Sequence, residues 1–140
     1  MFIVIDCGSS ATRLYLIEME SLNVIDKVIV ATGVNATIEQ GSNESLKIAL
    51  TKGITELQHR NQKAAEEIEF IIASGMITSN LGLYEIPHRE APASIEQLAK
   101  HTLRFAAGEL LPVDIPVLLI PGIKNKTTPQ WGELRGIDLM

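Results

Sequence analysis

Asp6, Gly8, Ser9, Ser10 and Arg13 crowd together near the start of the chain, between two apolar runs. An acid, a flexible residue, two hydroxyls and a guanidinium at this spacing suit the handling of a phosphate chain. The N–H groups of a tight turn and the two serine hydroxyls can hold phosphate oxygens, and Gly8 allows close backbone approach. Asp6 has the wrong sign to touch a phosphate. It suits a hydrated Mg²⁺ that in turn bridges phosphate oxygens. Arg13 would neutralise charge or order the turn by a bidentate contact. An ordinary hairpin also favours Asp and Gly at its turn, with solvated serines, and spacing alone leaves both readings open. Cys7, between Asp6 and Gly8, has no histidine near it in sequence and reads as a small buried residue rather than a nucleophile.

The elements that must position these groups follow from hydrophobic patterning. Phe2–Ile5 is a β-branched and aromatic run, and Arg13–Glu18 resumes an extended pattern. Val24–Ala31 is a third such run, so residues 2–31 read as an antiparallel meander. Gly33–Thr37 breaks it as a loop. Ser42 and Asn43 can cap a helix whose Leu46, Ala49, Leu50, Ile54 and Leu57 share one face. Ile68–Ala73 is nearly all apolar and predicts a central strand. Ser74–Asn80 follows at its carboxyl end, where ligands gather in open α/β sheets. There Gly75 permits close approach, while Ser79 and Asn80 offer hydrogen bonds; a plain turn opening a short helical segment explains the same residues.

Leu81–Ala93, with its two prolines, reads as a long irregular surface loop. Ser94–Gln97 is a capping box, predicting a helix with Ile95, Leu98, Ala99, Thr102 and Ala106 on one face that ends near Gly108. Pro116–Gly122 is a last buried strand with its turn, and Ile123–Gln130 is polar and expected to be mobile. The order βββ-α-β-α-β predicts an α/β fold of the ribonuclease H-like (actin-like ATPase) kind. Its mixed five-stranded sheet would hold the three-stranded meander and two parallel strands, with flanking helices.

Composition narrows the function classes. The 140 residues are enough for one domain with a real core, and 46% hydrophobic with 21% charged residues is ordinary globular composition. The net charge of −5, with no basic stripe, argues against nucleic acid as a partner. The apolar runs are too short to span a bilayer, and the N-terminus reads as a strand rather than a signal peptide. A single cysteine permits no internal disulfide, which suits a reducing cytoplasm.

Ile5-Asp6-Cys7-Gly8-Ser9-Ser10-Ala11-Thr12-Arg13 resembles the first phosphate motif of the sugar kinase, Hsp70 and actin superfamily. No Walker-type Gly-Lys-Ser/Thr occurs. Together with Gly33-Val34, the segment Ala73–Gly82 and Ile120-Pro121-Gly122, it is similar to the 2-dehydro-3-deoxygalactonokinase family. That resemblance implies transfer of the ATP γ-phosphoryl group to the 6-hydroxyl of a sugar acid, with Mg²⁺. It implies that Asp6 positions the metal and that Gly8, Ser9 and Ser10 line the phosphates. Arg13 would assist catalysis by neutralising charge, and Gly33, Gly75, Met76, Ser79 and Asn80 would face the sugar acid.

The chain departs from the family pattern at Cys7, where Trp or a similar residue is usual, at Thr78 (Gly) and at Leu83 (Trp). Family members run to about twice this length, with an Arg-Gly-Glu-Glu segment carrying a carboxylate; Asp138-Leu139-Met140 resembles the residues just before it. The implied reading is residues 1–140 as one domain, the N-terminal half of a two-domain kinase, inert or nearly so by itself. A C-terminal domain would complete the cleft, and an exposed interdomain face would also allow a homodimer. The competing expectations are a stand-alone binding or regulatory module of the same fold, or another superfamily activity that shares the first turn.

Overall fold

Inward and outward residues alternate along the first two strands. Ile3, Ile5 and Cys7 of β1 (Phe2–Cys7) and Thr12, Leu14 and Leu16 of β2 (Thr12–Ile17) are buried, while Val4, Asp6, Arg13 and Tyr15 lie on the opposite face. In the computed structural model, which describes residues 1–124 and 133–134, these strands pair antiparallel with Asp6 opposite Arg13. β3 (Val24–Val30) pairs antiparallel with β2, with an irregularity at Leu16 and Ile17. The meander expected over residues 2–31 is therefore present.

Three helices follow: α1 (Asn35–Gln40), α2 (Glu44–Arg60) and α3 (Gln62–Ala65). The second carries the core. Leu46, Leu50, Ile54 and Leu57 recur at helical spacing, and all four are fully buried against the sheet. Gly53 lets α2 come close, since a Cβ there would lie 3.0 Å from both methyl carbons of Leu14. The far end of α2 is tied to β3 through Asp26. Arg60 Nη2 donates to Asp26 Oδ1 at 2.6 Å, and Asn61 Nδ2 donates to Asp26 Oδ2 at 2.8 Å.

α2 and α3 cross over to β4 (Phe70–Gly75), which lies parallel to β1, with Asp6 beside Ser74 and Cys7 beside Gly75. The chain continues through β5 (Arg89–Glu90), α4 (Ile95–Lys100) and β6 (Leu103–Phe105) to β7 (Val117–Leu119), parallel to β4. β8 (Ile123–Lys124) and β9 (Glu133–Leu134) join β5 in a small second sheet. The main sheet has six strands in the order β3-β2-β1-β4-β7-β6.

Several expectations change here. The sheet has six strands rather than five, because the predicted helix from Ser94 stops at Lys100 and residues 103–105 pair antiparallel with β7. Ile95 of α4 is 85% exposed and no α4 residue is fully buried, so nothing in the core anchors a longer helix. Phe105 instead packs edge-on against Tyr84, with ring centroids 5.2 Å apart. The capping box at its start is formed as expected, with Ser94 and Gln97 bonded reciprocally.

Gly33–Thr37 is not simply a loop, since α1 begins at Asn35. Leu81–Ala93 is not wholly a surface segment either: Leu83 and Ile86 are buried in the core, and Arg89–Glu90 is a strand. Asn43 is the N-cap residue of α2, but its side chain makes no capping hydrogen bond. Its Nδ2 donates across to the carbonyl of Gly82 at 3.2 Å. Ile123 and Lys124 form a strand, and the remainder of the stretch expected to be mobile, 125–130, lies outside the described residues.

Two predictions follow from this packing. Leu50→Ala should cost about 2–5 kcal/mol of unfolding free energy by leaving a cavity under the sheet, measured by urea denaturation. The Asn61 amide, assisted by the Lys27 N–H and Arg60, holds the Asp26 carboxyl below its usual range. A folded-state pKa that is depressed contributes stability above the unfolded pKa, lost as pH falls through the folded one. Asn61→Ala should therefore raise the Asp26 pKa toward its ordinary value, seen by NMR titration, and flatten the acid limb of the stability profile.

Candidate functional site

Asp6, next to last in β1, lies on the face opposite α2, and the chain turns sharply after Cys7. The Gly8 N–H donates to the Ala11 carbonyl at 2.9 Å, closing the turn, with Ser9 and Ser10 exposed at its tip. The Gly8 N–H is thus spent inside the turn, and the serines are the turn residues presented outward. Behind the turn lies the segment that follows β3. Val34 N–H donates to the Gly8 carbonyl at 3.1 Å and Asn35 N–H to the Ser9 carbonyl at 2.8 Å. A Cβ on Gly33 would lie 2.6 Å from the Ser9 carbonyl carbon and oxygen, so a side chain there would push the turn away. Gly33, expected to face the sugar acid, is buried against the underside of this turn.

Thr12 fastens the same junction. Its hydroxyl donates to the Thr32 carbonyl at 2.7 Å and also approaches the Cys7 sulfur. The residue escaped the sequence reading. Its signal was a hydroxyl on the inward face of β2, in line with Leu14 and Leu16.

The second wall comes from β4. Gly75 has φ +86°, in the left-handed region. A Cβ there would lie 2.6 Å from the Cys7 carbonyl and 3.2 Å from Asp6 Oδ1. Asp6 therefore rests against bare backbone at the carboxyl end of the neighbouring parallel strand. Its other oxygen, Oδ2, receives Arg13 Nη1 at 3.4 Å, a long contact between partly exposed groups. Such a pair contributes little to stability. It leaves the acid accessible.

A 3-10 turn, Met76–Thr78, leads away from Gly75. Met76 is half-buried and Asn80 is exposed. Ser79 is engaged locally: its hydroxyl donates to the Met76 carbonyl at 2.6 Å and accepts from the Leu81 N–H at 3.3 Å. Asp6, Arg13, the Gly8–Ser10 turn and Gly75 are thus brought together at one end of the sheet. Gly33 lies beneath them, and Ser79 faces its own turn.

Burial dominates the environment of Cys7. It pushes the thiol pKa up, and the neighbouring Asp6 charge adds to the rise against the opposing Thr12 hydroxyl. Both the raised pKa and the burial disfavour the thiolate, the form in which a cysteine acts as a nucleophile. Among the described residues no group of three His, Cys, Asp or Glu side chains could enclose a metal ion. A metal at Asp6 would draw on at most two such side chains among the described residues and take water and ligand oxygens as its other partners, which suits Mg²⁺.

Residues 6–139 match the family model for 2-keto-3-deoxy-galactonokinase. The chain belongs to this family. A crystal structure from Sinorhizobium meliloti, of a protein provisionally named as a 2-dehydro-3-deoxygalactonokinase, superimposes with a TM-score of 0.61 at 20% sequence identity. The superposition covers 97% of this chain and 40% of that one, so the 140 residues span well under half of their structural counterpart. No curated protein matches the chain. Among the described residues, no helix is long and apolar enough to cross a membrane.

Gly75→Ala should destabilise the domain by about 1–3 kcal/mol through backbone strain alone, with the Cys7 carbonyl clash added. Thermal or urea unfolding measures it. Cys7 in the folded chain should react with a disulfide reagent far more slowly than in denaturant, and a comparable rate in both would contradict its burial.

Proposed function

We propose that this chain is the N-terminal domain of a sugar-acid kinase of the 2-keto-3-deoxy-galactonokinase family. The reaction would transfer the ATP γ-phosphoryl group to the 6-hydroxyl of 2-dehydro-3-deoxy-D-galactonate. The observation that carries the reading is the convergence of Asp6, the Gly8–Ser9–Ser10 turn and Gly75 where β1 and β4 end side by side. The strand order supports a ribonuclease H-like domain, with β6 added outside β7 as an edge strand. Family membership supports a sugar kinase role and the use of ATP.

In this reading the hydroxyls of Ser9 and Ser10 receive phosphate oxygens, and the seam from Val34 and Asn35 keeps their turn from shifting. Asp6 would hold Mg²⁺, which supplies neutralisation of phosphate charge when bound. Arg13, beside Asp6, adds positive charge without a rigid partner of its own. Met76 and Asn80 stand at the sugar side of the same end of the sheet, with Gly75 giving room. The chemistry asks for position and charge stabilisation more than for a covalent intermediate, and no activated nucleophile is needed from this half. The acceptor's base and the adenine pocket belong to the part of the family's length that this chain does not span. A reducing cytoplasm suits such an enzyme.

The test is ADP release dependent on 2-keto-3-deoxygalactonate, using a protein that carries these residues together with the family's remaining length. Asp6→Asn should lower kcat by about 10²–10³-fold, the scale of one lost electrostatic contact at the transition state. Unchanged turnover in a folded Asp6→Asn protein would remove Asp6 from the mechanism. Turnover with other sugars alone would remove the substrate.

A further inference from the structure

The segments leaving the carboxyl ends of β4 and β7 meet a second time, away from the phosphate turn. One runs from Gly75 to β5; the other runs through Pro121 and Gly122 into β8. β5 and β8 pair in parallel, with Arg89 beside Ile123 and Glu90 beside Lys124. The Arg89 N–H donates to the Gly122 carbonyl at 2.9 Å, and the Ala91 N–H to that of Lys124 at 2.8 Å. Between this pair and the start of α4 lies a cavity of about 380 Å³ lined by His88, Arg89, Glu90, Pro92, Gln97 and Lys124. Its size falls within the range of small-molecule sites, roughly 300–1,000 Å³. Because β1, β4 and β7 run parallel, the two segments that lead to it leave the sheet at the same end as Asp6.

We propose that this cavity binds the carboxylate end of an acidic, polyhydroxylated substrate. The inference rests on the sugar-acid kinase reading and adds to it the residues that recognise the acid. His88 and Glu90 are already engaged within the protein. Arg89 and Lys124 bring two positive charges into one small space, in a chain whose net charge is −5. The planar guanidinium of Arg89 matches a carboxylate through paired N–H donors, and Lys124 adds a mobile point charge.

Gln97 is already oriented. Its Oε1 accepts the Ser94 N–H at 3.0 Å as half of the capping box, so its amide nitrogen is the end presented as a donor. Glu90 in the same wall offsets one of the two positive charges, so the planar fit to Arg89, rather than net charge, carries the preference for a carboxylate. The phosphate turn and this cavity would then take opposite ends of the reacting pair.

NMR titration of the 140-residue chain tests this, using D-galactonate, its neutral alditol galactitol, and inorganic phosphate as probes. Galactonate should shift the backbone amides of Arg89, Glu90, Gln97 and Lys124 and bind at least tenfold more tightly than galactitol. Arg89→Gln should weaken galactonate by about tenfold with an unchanged unfolding midpoint, and the more exposed Lys124→Gln should weaken it less. Equal binding of galactonate and galactitol, shifts confined to other residues, or no effect of either substitution would overturn the proposal. Phosphate binding as tight as galactonate would also overturn it, by making the cavity a general anion site. The kinase reading fails separately, if a folded protein carrying these residues with the family's remaining length releases no ADP from MgATP in the presence of any sugar acid.

Discussion

The structure around Asp6 depends on a backbone seam. Two carbonyls of the first turn, those of Gly8 and Ser9, are taken by the N–H groups of Val34 and Asn35. This works only because Gly33 has no side chain to hold the strands of the seam apart. Thr12 closes the same junction from within by reaching the Thr32 carbonyl. A short turn that would otherwise move as a free loop is held from below, with its two serines turned outward. The fixed position of this turn thus comes from main-chain hydrogen bonds and the absence of a Cβ.

The rest of the fold brings β4 to the correct side of that turn. α2 must leave β3, cross one face of the sheet and deliver the chain alongside β1. Its buried leucines and Ile54, with Gly53 allowing close contact, fix the height at which it does so. The parallel register that results sets Gly75 beside Cys7, and the left-handed backbone there opens the floor against which Asp6 rests. A shift of one residue in that pairing would turn every β4 side chain to the other face. The acid and the glycine are neighbours through pairing between distant segments, not through sequence proximity.

Much of this was legible in the sequence. A β-branched and aromatic run marked β1, a resumed extended pattern marked β2, continuous apolar character marked β4, and helical spacing marked α2. Asp6, Gly8, the serines and Arg13 could be read together because they lie on one hairpin. What failed did so where tertiary contacts overrule local pattern. Residues 95–106 carry a helical period, yet their apolar face is left unburied, the helix ends early and Phe105 finds Tyr84 instead. Gly33 looked like a pocket residue because a glycine's purpose lies in what surrounds it, and the turn above it is 25 positions away in the chain (33 − 8). Ser79 was read by type, whereas its hydroxyl is satisfied three residues back. Arg89, Gln97 and Lys124 share no motif. The pairing of two very short strands brings Arg89 and Lys124 to one cavity, and the first turn of α4 adds Gln97.

The two borders of the main sheet are unlike its middle. On one side the outermost strand is β6, three residues long with Arg104 at its centre; on the other, β3 carries Asp26 and Lys27 midway along its length. A stray extended segment seeking main-chain partners meets little length on the first border and charge on the second, both of which discourage lateral addition. The sheet is thereby guarded against growing into fibrils or pairing blindly with its own kind.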